Sequence, residues 1–337
     1  MAAVAPIRIC DLGGWTDTWF ARRGKVCNLA VSPSVEVRVQ VRARDAAPHR
    51  VDLDVVDFGD RYGFAPGHGP RRHSLLEAAV DEVGVPDDVA LAIRVSSGVP
   101  AGCSTGTSAA VTVALVGALD ALGRHPRGPE EVARTAHRIE VERLGLQSGV
   151  QDQLCAALGG ISFIEVDPYP EAVRTPLPVP EPLWHELEGR LMLLHLGRAH
   201  RSSQMHERVI GRLVREGQSS PDLEELRECA VMARDALLAR DLDGLGRAMI
   251  RNTDAQAHLH EDLVSAQAHR AVDIAAAHGS SGWKVNGAGG DGGSLSILCG
   301  PDLTRREAMK RALLAADPLL RVIPIRLSER GLSVSYS

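Results

Sequence analysis

A short run of small residues in the first half of the chain has the composition of an anion-binding loop. Residues 99–110 have the sequence Val-Pro-Ala-Gly-Cys-Ser-Thr-Gly-Thr-Ser-Ala-Ala, between a predicted strand at 89–95 and a predicted buried helix at 107–122. The unpaired N–H groups and the dipole at such a helix start favour phosphate. Thr107 and Ser108 add hydroxyls that can cap the helix or touch a metal ion. Taken alone, the motif fits a simple glycine turn that caps a core helix equally well.

A second motif, near the N-terminus, could hold a polyhydroxylated ligand. Residues 11–18 have the sequence Asp-Leu-Gly-Gly-Trp-Thr-Asp-Thr and follow a strand-like start at 7–10. The adjacent glycines permit a positive φ and a close approach to a ligand. Trp15, Thr16 and Asp17 would supply a flat apolar face, a hydroxyl and a carboxylate. Considered by itself, this motif favours the alternative of a tight hairpin turn in which Asp17 is a local cap.

A third motif places a carboxylate at the start of a short apolar helix. Residues 146–153 have the sequence Leu-Gln-Ser-Gly-Val-Gln-Asp-Gln. Asp152 can be a partner of the helix dipole, worth about 0.3–1 kcal/mol, or it can take a proton from an attacking hydroxyl. Glu140, on the preceding predicted helix, is a candidate Mg²⁺ ligand. The alternative for Glu140 is a solvated surface glutamate, because charged residues follow it directly.

A fourth motif, Lys-Val-Asn-Gly-Ala-Gly-Gly-Asp-Gly-Gly over residues 284–293, contains Gly-x-Gly-x-x-Gly. A dinucleotide-binding fold would need a helix after these glycines. Residues 294–298 instead have the pattern of a strand. We therefore exclude that fold and predict a strand–turn–strand hairpin that folds over phosphates.

The elements that must position these motifs are strands mixed with helices along the whole chain. Valines alternate with other residues over 34–41, as in a half-buried strand. Other strands are predicted at 89–95, 161–166, 190–196, 282–286, 293–299 and 320–327. Helices are predicted at 74–83, 107–122, 129–144, 150–158, 202–216, 222–239, 241–256, 261–278 and 303–315. A proline-rich stretch at 168–182 is the predicted linker between two α+β domains.

The composition excludes several classes of protein. The chain has 337 residues, enough for two domains, and a net charge of −5. Neither nucleic acid nor an anionic membrane surface is therefore an expected partner. The six cysteines lack zinc or redox spacing and are expected to be reduced, buried thiols. No signal peptide or membrane span is predicted, so we expect a cytoplasmic protein.

Together and in this order, the motifs resemble those of the GHMP kinase superfamily over nearly the whole chain. The family's phosphate loop is roughly Pro-x-Gly-x-Gly-Leu-Gly-Ser-Ser. The matching residues are Pro100, Gly102, Gly106, Thr107 and Ser108, and the departures are Ser104 and Thr105. The glycine motif at 284–293 is similar to the family's third motif, with Asp291 as an added charge. Residues 13–18 and 149–153 are similar to motifs of L-fucose kinases and D-glycero-D-manno-heptose 7-phosphate kinases, so the sugar kinase branch is the nearest.

The resemblance implies roles for individual residues. In galactokinases the matching Asp is the proposed base, assisted by an Arg, and these positions fall on Asp152 and Arg8. The family's Mg²⁺ ligands fall on Glu140 and on Thr107 or Ser108. The residues expected around the ATP phosphates are Pro100, Gly102, Ser104, Thr105, Gly106, Thr107, Ser108, Gly289 and Gly290. Those expected to contact the acceptor are Gly14, Trp15, Thr16, Asp17, Gln151, Arg201 and Lys284.

The resemblance also implies a fold and an activity. The fold is α+β, with an N-terminal domain at 1–180 like ribosomal protein S5 domain 2 and a ferredoxin-like C-terminal domain at 181–337. ATP and Mg²⁺ are the implied cofactors, and the γ-phosphoryl group would go to a sugar hydroxyl, first of all the anomeric O1 of a heptose 7-phosphate or a related hexose. A catalytically silent sugar sensor and a kinase for a non-sugar alcohol stay open as alternatives. The expected partner is a small-molecule sugar or sugar phosphate, and a homodimer is compatible with the sequence.

Overall fold

The computed structural model describes residues 1–69, 72–197 and 204–336, and in these ranges helices flank two β-sheets. The strands are β1 (Ala2–Leu12), β2 (Gly24–Ala43), β3 (Val51–Val55), β4 (Asp60–Phe64), β5 (Val89–Ser97), β6 (Ile161–Val166), β7 (Ala172–Pro176), β8 (Leu191–His195), β9 (Gly282–Val285), β10 (Ser294–Leu298), β11 (Arg321–Ile323), β12 (Arg326–Leu327) and β13 (Ser333–Ser335). The helices are α1 (Ser74–Val83), α2 (Thr107–Asp120), α3 (Pro129–Arg138), α4 (Gln151–Leu158), α5 (Glu181–Arg190), α6 (Gln204–Glu216), α7 (Pro221–Leu238), α8 (Leu242–Leu259), α9 (Ala266–Ala277) and α10 (Leu303–Ala316).

Strand β2 is the centre of the first sheet. The strand order is β13-β1-β2-β5-β3-β4, and β2 also pairs with β6 and β12. Pairing is antiparallel except between β3 and β5, which run parallel. Val35, Val37 and Val39 are buried while the residues between them are half-buried or exposed. The predicted half-buried strand is therefore confirmed, as part of a longer one.

Helix α2 is the buried helix of the N-terminal half. It packs on β1 and β2 and is enclosed by α1, α3 and α4. Its residues are apolar on nearly every side, which is the pattern of a helix without a solvent face. A β-carbon on Gly117 would lie 2.6 Å from Leu332 Cδ2, so the glycine allows the C-terminal segment to pack closely on the helix. This close packing fixes the position of the loop that precedes α2.

The second sheet has the strand order β11-β8-β10-β9, and all its pairs are antiparallel. Alternate residues of β8 enter different cores. Met192 and Leu194 join a core with α9 and α10, whereas Leu191 and Leu193 join the larger core, which also holds residues of α7 and α8. Since α7 contacts β2 and α8 contacts β9, these two helices connect the sheets.

The proline-rich stretch carries more structure than the predicted linker. It contains β7, which pairs with β6, and the start of α5. The predicted strand at 320–327 is two strands, because β11 pairs with β8 in the second sheet and β12 with β2 in the first. Strand β13 then pairs with β1, so the chain returns to its N-terminal sheet. A division into domains near residue 180 stays a prediction.

The glycine motif at 284–293 connects β9 and β10, which are antiparallel neighbours. The predicted strand–turn–strand hairpin is confirmed, and a dinucleotide-binding βαβ unit at this motif is excluded. All six cysteines are free and buried, as predicted. Among the helices in the described ranges, none combines the length and the apolar character that crossing a bilayer requires.

Candidate active site

A cleft of about 720 Å³ opens where β1, the loop before α2, the start of α4, the glycine turn after β9 and helix α6 meet. A larger hollow of about 970 Å³ lies on the open face of the first sheet, where Arg42 of β2 and Asp52 of β3 form an ion pair across β5. The smaller cleft is the candidate site, because the predicted functional residues converge on it. Its charged lining, within the described residues, consists of Arg8, Asp11, Asp17, Glu140, Asp152 and Glu207.

Arg8 and Asp152 form a two-point ion pair at the base of this cleft. Arg8 Nε donates to Asp152 Oδ1 at 2.8 Å, and Nη2 donates to Oδ2 at 3.2 Å. Arg8 Nη1 also donates to the Ser104 carbonyl at 2.6 Å, and the Arg8 backbone N–H donates to the Thr105 carbonyl at 3.0 Å. A single arginine on β1 therefore holds both the start of α4 and the loop before α2.

The loop before α2 comes into direct contact with Asp152. Gly106 has φ +67°, and a β-carbon there would lie 3.1 Å from Asp152 Cγ. The Asp152 side chain is 25% exposed, so its ion pair with Arg8 is open to the cleft. The structure thus brings together the two elements on which the sequence-based interpretation depends.

Glycines in the turn after β9 allow it to pack on the same loop. A β-carbon on Gly287 would lie 3.1 Å from the Ser104 carbonyl oxygen, and one on Gly293 would lie 2.7 Å from Ser104 Oγ. Ser294 Oγ donates to the Cys103 carbonyl at 2.6 Å. Ser104 itself has φ +58°, a left-handed conformation in which a glycine would be less strained. The loop is therefore held from β1 on one side and from the glycine turn on the other.

Some residues predicted to surround phosphates lie elsewhere. A β-carbon on Gly289 would overlap the Leu263 carbonyl, and Gly290 N–H donates to that carbonyl at 2.8 Å. These two glycines pack against the segment after α8, while Gly287 and Ala288 line the cleft in their place. Pro100 also lies outside the lining, which includes Gly102, Ser104, Thr105, Gly106, Thr107 and Ser108.

Asp17 and Gln151 form a polar wall of the cleft. Asp17 Oδ2 accepts from the Gln151 backbone N–H at 3.0 Å, and Oδ1 accepts from Gln151 Nε2 at 3.4 Å. A β-carbon on Gly149 would overlap the Asp17 carboxylate, so this approach needs a glycine. Burial raises the pKa of Asp17 to about 6. The carboxylate and amide are thus fixed relative to the start of α4.

An apolar wall stands beside them. The Trp15 ring centroid lies 6.3 Å from that of Phe20 and 5.8 Å from that of His206, and Ile210 lines the same side. Trp15 has φ +77°, and its Nε1 has no hydrogen-bond partner among the described residues. The sequence indicated Trp15 but not the other three. The sequence contained little indication of His206 and Ile210, because any amphipathic helix such as α6 has apolar residues at a similar spacing along one face.

Three of the residues predicted to contact the acceptor do not line the cleft. Gly14 and Thr16 lie outside its lining, and Thr16 Oγ1 donates to the Gly13 carbonyl at 2.7 Å as part of the turn itself. Lys284 is buried, and its ammonium donates to Gln256 Oε1 at 3.0 Å rather than into the cleft. A further predicted contact, Arg201, lies outside the described residues.

Glu140 is suited to a metal ion. The predicted helix at 129–144 changes after Arg138 into a π-helical turn over 139–143, and this turn places Glu140 in the cleft lining. Its Oε1 is buried and has no hydrogen-bond partner among the described residues. Burial raises the pKa of Glu140 to about 7, with hydrogen bonding to the Ser148 and Gln153 side chains opposing the shift and the Asp152 charge adding to it. An unpartnered buried carboxylate oxygen needs a cation or a proton.

The surroundings of Glu140 fit a Mg²⁺ ion that is bound partly by a substrate better than a metal ion whose ligands are all protein side chains. Among the described residues, no group of three His, Cys, Asp or Glu side chains could hold a metal. Thr107 and Ser108 line the same cleft at the start of α2. Mg²⁺ is commonly bound by one or two carboxylates together with substrate phosphates. The residues present therefore fit an ion that arrives with a nucleotide.

Comparisons with known proteins support one family. Residues 73–160 match the family described as GHMP kinases N terminal domain. The chain is 27% identical to the bifunctional fucokinase/GDP-fucose pyrophosphorylase of Arabidopsis thaliana, over 91% of this chain and 30% of that protein. It is 26% identical to the D-glycero-alpha-D-manno-heptose 7-phosphate kinase of Campylobacter jejuni, over 67% of this chain and 65% of that protein. The chain thus spans less than two thirds of the length of either relative.

A third relative and a solved structure complete the comparison. The chain is 31% identical to the mevalonate kinase of Methanothermobacter thermautotrophicus, over 75% of this chain and 82% of that protein. Its fold matches a D-glycero-D-manno-heptose 1-phosphate kinase from Bacteroides thetaiotaomicron with a TM-score of 0.77 and 22% identity, over 100% of this chain and 99% of the other. This likeness confirms the predicted α+β fold class. The chain belongs to the GHMP kinases, a family of ATP-dependent phosphotransferases.

Proposed function

We propose that this chain transfers the γ-phosphoryl group of ATP to a sugar hydroxyl. The acceptor that we propose first is the anomeric O1 of a heptose 7-phosphate or of a related hexose, in line with the fucokinase and heptose 7-phosphate kinase relatives. One observation carries the proposal. The Asp152 carboxylate is held at two points by Arg8 and is in contact with Gly106 of the glycine-rich loop.

In this proposal Asp152 is the general base. The Arg8 guanidinium holds the Asp152 carboxylate at two points, through Nε and Nη2. The acceptor oxygen forms a bond to the γ-phosphorus, while the bond from that phosphorus to the bridging oxygen breaks and ADP leaves with the electron pair. The proton of the acceptor hydroxyl goes to Asp152. Because Asp152 is partly exposed to the cleft, a hydroxyl can reach it.

The loop at 102–108 and the start of α2 are the proposed phosphate site. Backbone N–H groups at a helix start attract phosphate without any side-chain cation. Gly106 rather than Lys precedes Thr107, so this loop lacks the usual P-loop lysine. Mg²⁺, when bound, would offset the negative charge of the phosphates. Glu140 and the hydroxyl of Thr107 or Ser108 are the residues that would hold it.

The walls of the cleft are the proposed acceptor site. Asp17 and Gln151 can hydrogen-bond to sugar hydroxyls, while the flat face of Trp15 can pack on the apolar face of a sugar ring. A carboxylate, an amide and an aromatic ring together suit a polyhydroxylated ring better than a flexible aliphatic alcohol. This combination is the reason for preferring a sugar.

A non-sugar alcohol is the second candidate acceptor, because the mevalonate kinase relative has the highest identity of the three compared. In that case Asp17 and Trp15 would have no ring to contact. A catalytically silent sensor is disfavoured, because Asp152, Thr107 and Ser108 are all present in the cleft.

The test combines an acceptor panel with Asp152→Asn. The wild-type protein is incubated with ATP, Mg²⁺ and, in turn, hexoses, heptoses, heptose phosphates and mevalonate, and phosphate transfer is measured. We expect transfer to at least one sugar, and a loss in kcat of about 10²–10⁴-fold in D152N. The control is Asp167→Asn, which changes a largely exposed Asp that pairs with Arg23. Near-native turnover by folded D152N would contradict the role of Asp152, and transfer to mevalonate alone would contradict a sugar acceptor.

A further inference from the structure

A lysine behind the cleft is not used by the chemistry proposed above. Lys284 lies on β9, and only 1% of its side chain is exposed. Its ammonium donates to Gln256 Oε1 at 3.0 Å and to the Val285 carbonyl. A third acceptor, Asp11 Oδ1, lies 3.7 Å away. An ammonium has three donors and no acceptor, so it suits a pocket lined by oxygens. Burial lowers the pKa of Lys284, and the Asp11 charge opposes this shift.

Asp11 connects this lysine to the proposed catalytic pair. Its carboxylate, also 1% exposed, accepts from the Gly287 backbone N–H at 3.1 Å and 3.0 Å through its two oxygens. Asp11 Oδ1 lies 3.7 Å from Arg8 Nη1, and Arg8 Nε lies 2.8 Å from Asp152 Oδ1. Charges of alternating sign therefore run from the second sheet to the cleft, in the order Lys284, Asp11, Arg8 and Asp152.

We propose that Lys284 is a positioning residue for phosphoryl transfer, which balances the charge of Asp11 and so keeps the Arg8 guanidinium in place on Asp152. This inference rests on the proposed function. The role differs from the substrate contact that the sequence suggested, because the ammonium is enclosed and faces protein oxygens. Lys284 acts through Asp11 and Arg8 and touches no reacting atom.

The physical reason is charge compensation in a buried network. Two cations and two carboxylates offset each other, and buried charges are tolerated when they are paired and hydrogen-bonded. Without the ammonium, Arg8 would be the cation left next to Asp11 among the described residues. The Asp11 carboxylate would then draw Arg8 Nη1 away from the Ser104 carbonyl, which it now contacts at 2.6 Å. A shift of the guanidinium would displace both Asp152 and the phosphate loop.

The same network holds the glycine turn on the loop. Asp11 accepts from Gly287, and Gly287 packs on Ser104. A change at Lys284 would thus reach the loop by two routes, through Arg8 and through the turn. Both routes alter the alignment of the reacting groups, and neither removes a ligand contact. Losses in alignment lower kcat more than they raise KM.

The experiment is a double-mutant cycle of Lys284→Met, Asp11→Asn and the double variant. Lys310→Met on α10 is the control for loss of a lysine charge away from the cleft. We expect kcat of K284M to fall about 10-fold or more, while KM for ATP and for the acceptor changes by less than about 3-fold. The double variant should recover most of the lost kcat, because the amide introduced by D11N is neutral and its carbonyl oxygen can still accept from Gly287. K310M should keep the wild-type values.

Several results would overturn the positioning role. A wild-type kcat in K284M would do so, as would a raised KM at unchanged kcat, which indicates direct substrate contact. A double variant no better than the poorer single variant would indicate a purely structural lysine. If K284M does not fold, the test compares D11N with the double variant. In D11N the charge of Lys284 is no longer balanced by Asp11, so replacing Lys284 as well must restore kcat. If the wild-type protein phosphorylates no acceptor, the proposed function itself is contradicted. If the wild-type protein is active and K284M is equally active, only the role of Lys284 is contradicted.

Discussion

Gly106 and Asp152 approach each other so closely that a β-carbon on Gly106 would lie 3.1 Å from Asp152 Cγ. The glycine belongs to the loop before α2, and the aspartate lies in the first turn of α4, far along the chain from that loop. Arg8 joins the two from a third element, since it binds Asp152 and the carbonyls of Ser104 and Thr105. The distance between the proposed phosphate loop and the proposed base therefore depends on the absence of a side chain at Gly106.

Gly106→Ala tests this relationship. The added methyl group would push the loop and Asp152 apart, and φ +67° is unfavourable for alanine. We expect kcat to fall about 10-fold or more, because displacements below about 1 Å at reacting groups are costly. Steady-state kinetics and the free energy of unfolding are the measurements.

Gly59→Ala is the matched control for this change. Gly59 has φ +61°, and a β-carbon there meets no atom within 4 Å. Both variants should lose stability by about 1 kcal/mol from backbone strain, and G106A alone should lose turnover. Equal kcat in the two variants would show that the contact with Asp152 is unimportant.

Asp17 should give acceptor binding a pH dependence near pH 6. Burial raises the pKa of Asp17 to about 6, with Asp152 adding to the shift and Arg8 opposing it. A carboxylate accepts hydrogen bonds from sugar hydroxyls, whereas the protonated acid is a poorer acceptor. We therefore expect the acceptor KM to fall as pH rises from about 5 to about 7. In Asp17→Asn this dependence should disappear while binding stays weak, and a parallel pH profile in both proteins would contradict the assignment.

Raising the pH should strengthen acceptor binding through Asp17, but the same ionisation of Asp17 should lower the stability of the folded protein. Its folded-state pKa of about 6 lies above the ordinary value of 3.8. The folded protein therefore binds the proton more tightly than the unfolded chain does. The contribution to stability is complete below about pH 3.8 and is lost as pH rises through about 6, with a loss of up to about 3 kcal/mol. Unfolding of wild type and D17N across this range measures the loss, which should be absent in D17N.

Local patterns predicted the parts of the site that local chemistry determines. The loop at 102–108 and the hairpin at 284–293 could be predicted from their glycines and from the elements on either side. The alternation of valines predicted the central strand because one face of that strand is buried. The contact of Arg8 with Asp152 followed from the resemblance to a known family. No spacing in this sequence would have predicted it.

Other features depend on contacts between distant segments. A glycine is needed at 289 for packing against the Leu263 carbonyl, and a glycine in a sequence does not indicate which neighbour requires its small size. Lys284 is likewise a buried charge because Asp11 and Gln256 come from other elements to meet it. The side of the cleft formed by Phe20 and α6 has no motif, since ordinary apolar residues form it. The periodicity of apolar residues along the sequence does not predict tertiary contacts of this kind.

Glu140→Gln should raise the Mg²⁺ requirement of the reaction. Glu140 Oε1 is buried in the cleft without a hydrogen-bond partner among the described residues, so it is available to a cation. Glutamine keeps the shape of the side chain but removes its charge, and neutral amides bind Mg²⁺ more weakly than carboxylates do. We expect the Mg²⁺ concentration for half-maximal activity to rise by about 10-fold, as for loss of one ligand or its support.

Glu142→Gln is the control for this measurement, because Glu142 lies on the same π-helical turn but is exposed. Activity is measured at fixed total ATP while Mg²⁺ is varied above the ATP concentration. E142Q should follow the wild-type curve, and E140Q should approach wild-type kcat as Mg²⁺ becomes saturating. If E140Q instead loses kcat at every Mg²⁺ concentration with an unchanged midpoint, Glu140 supports the fold of the cleft and does not bind the ion.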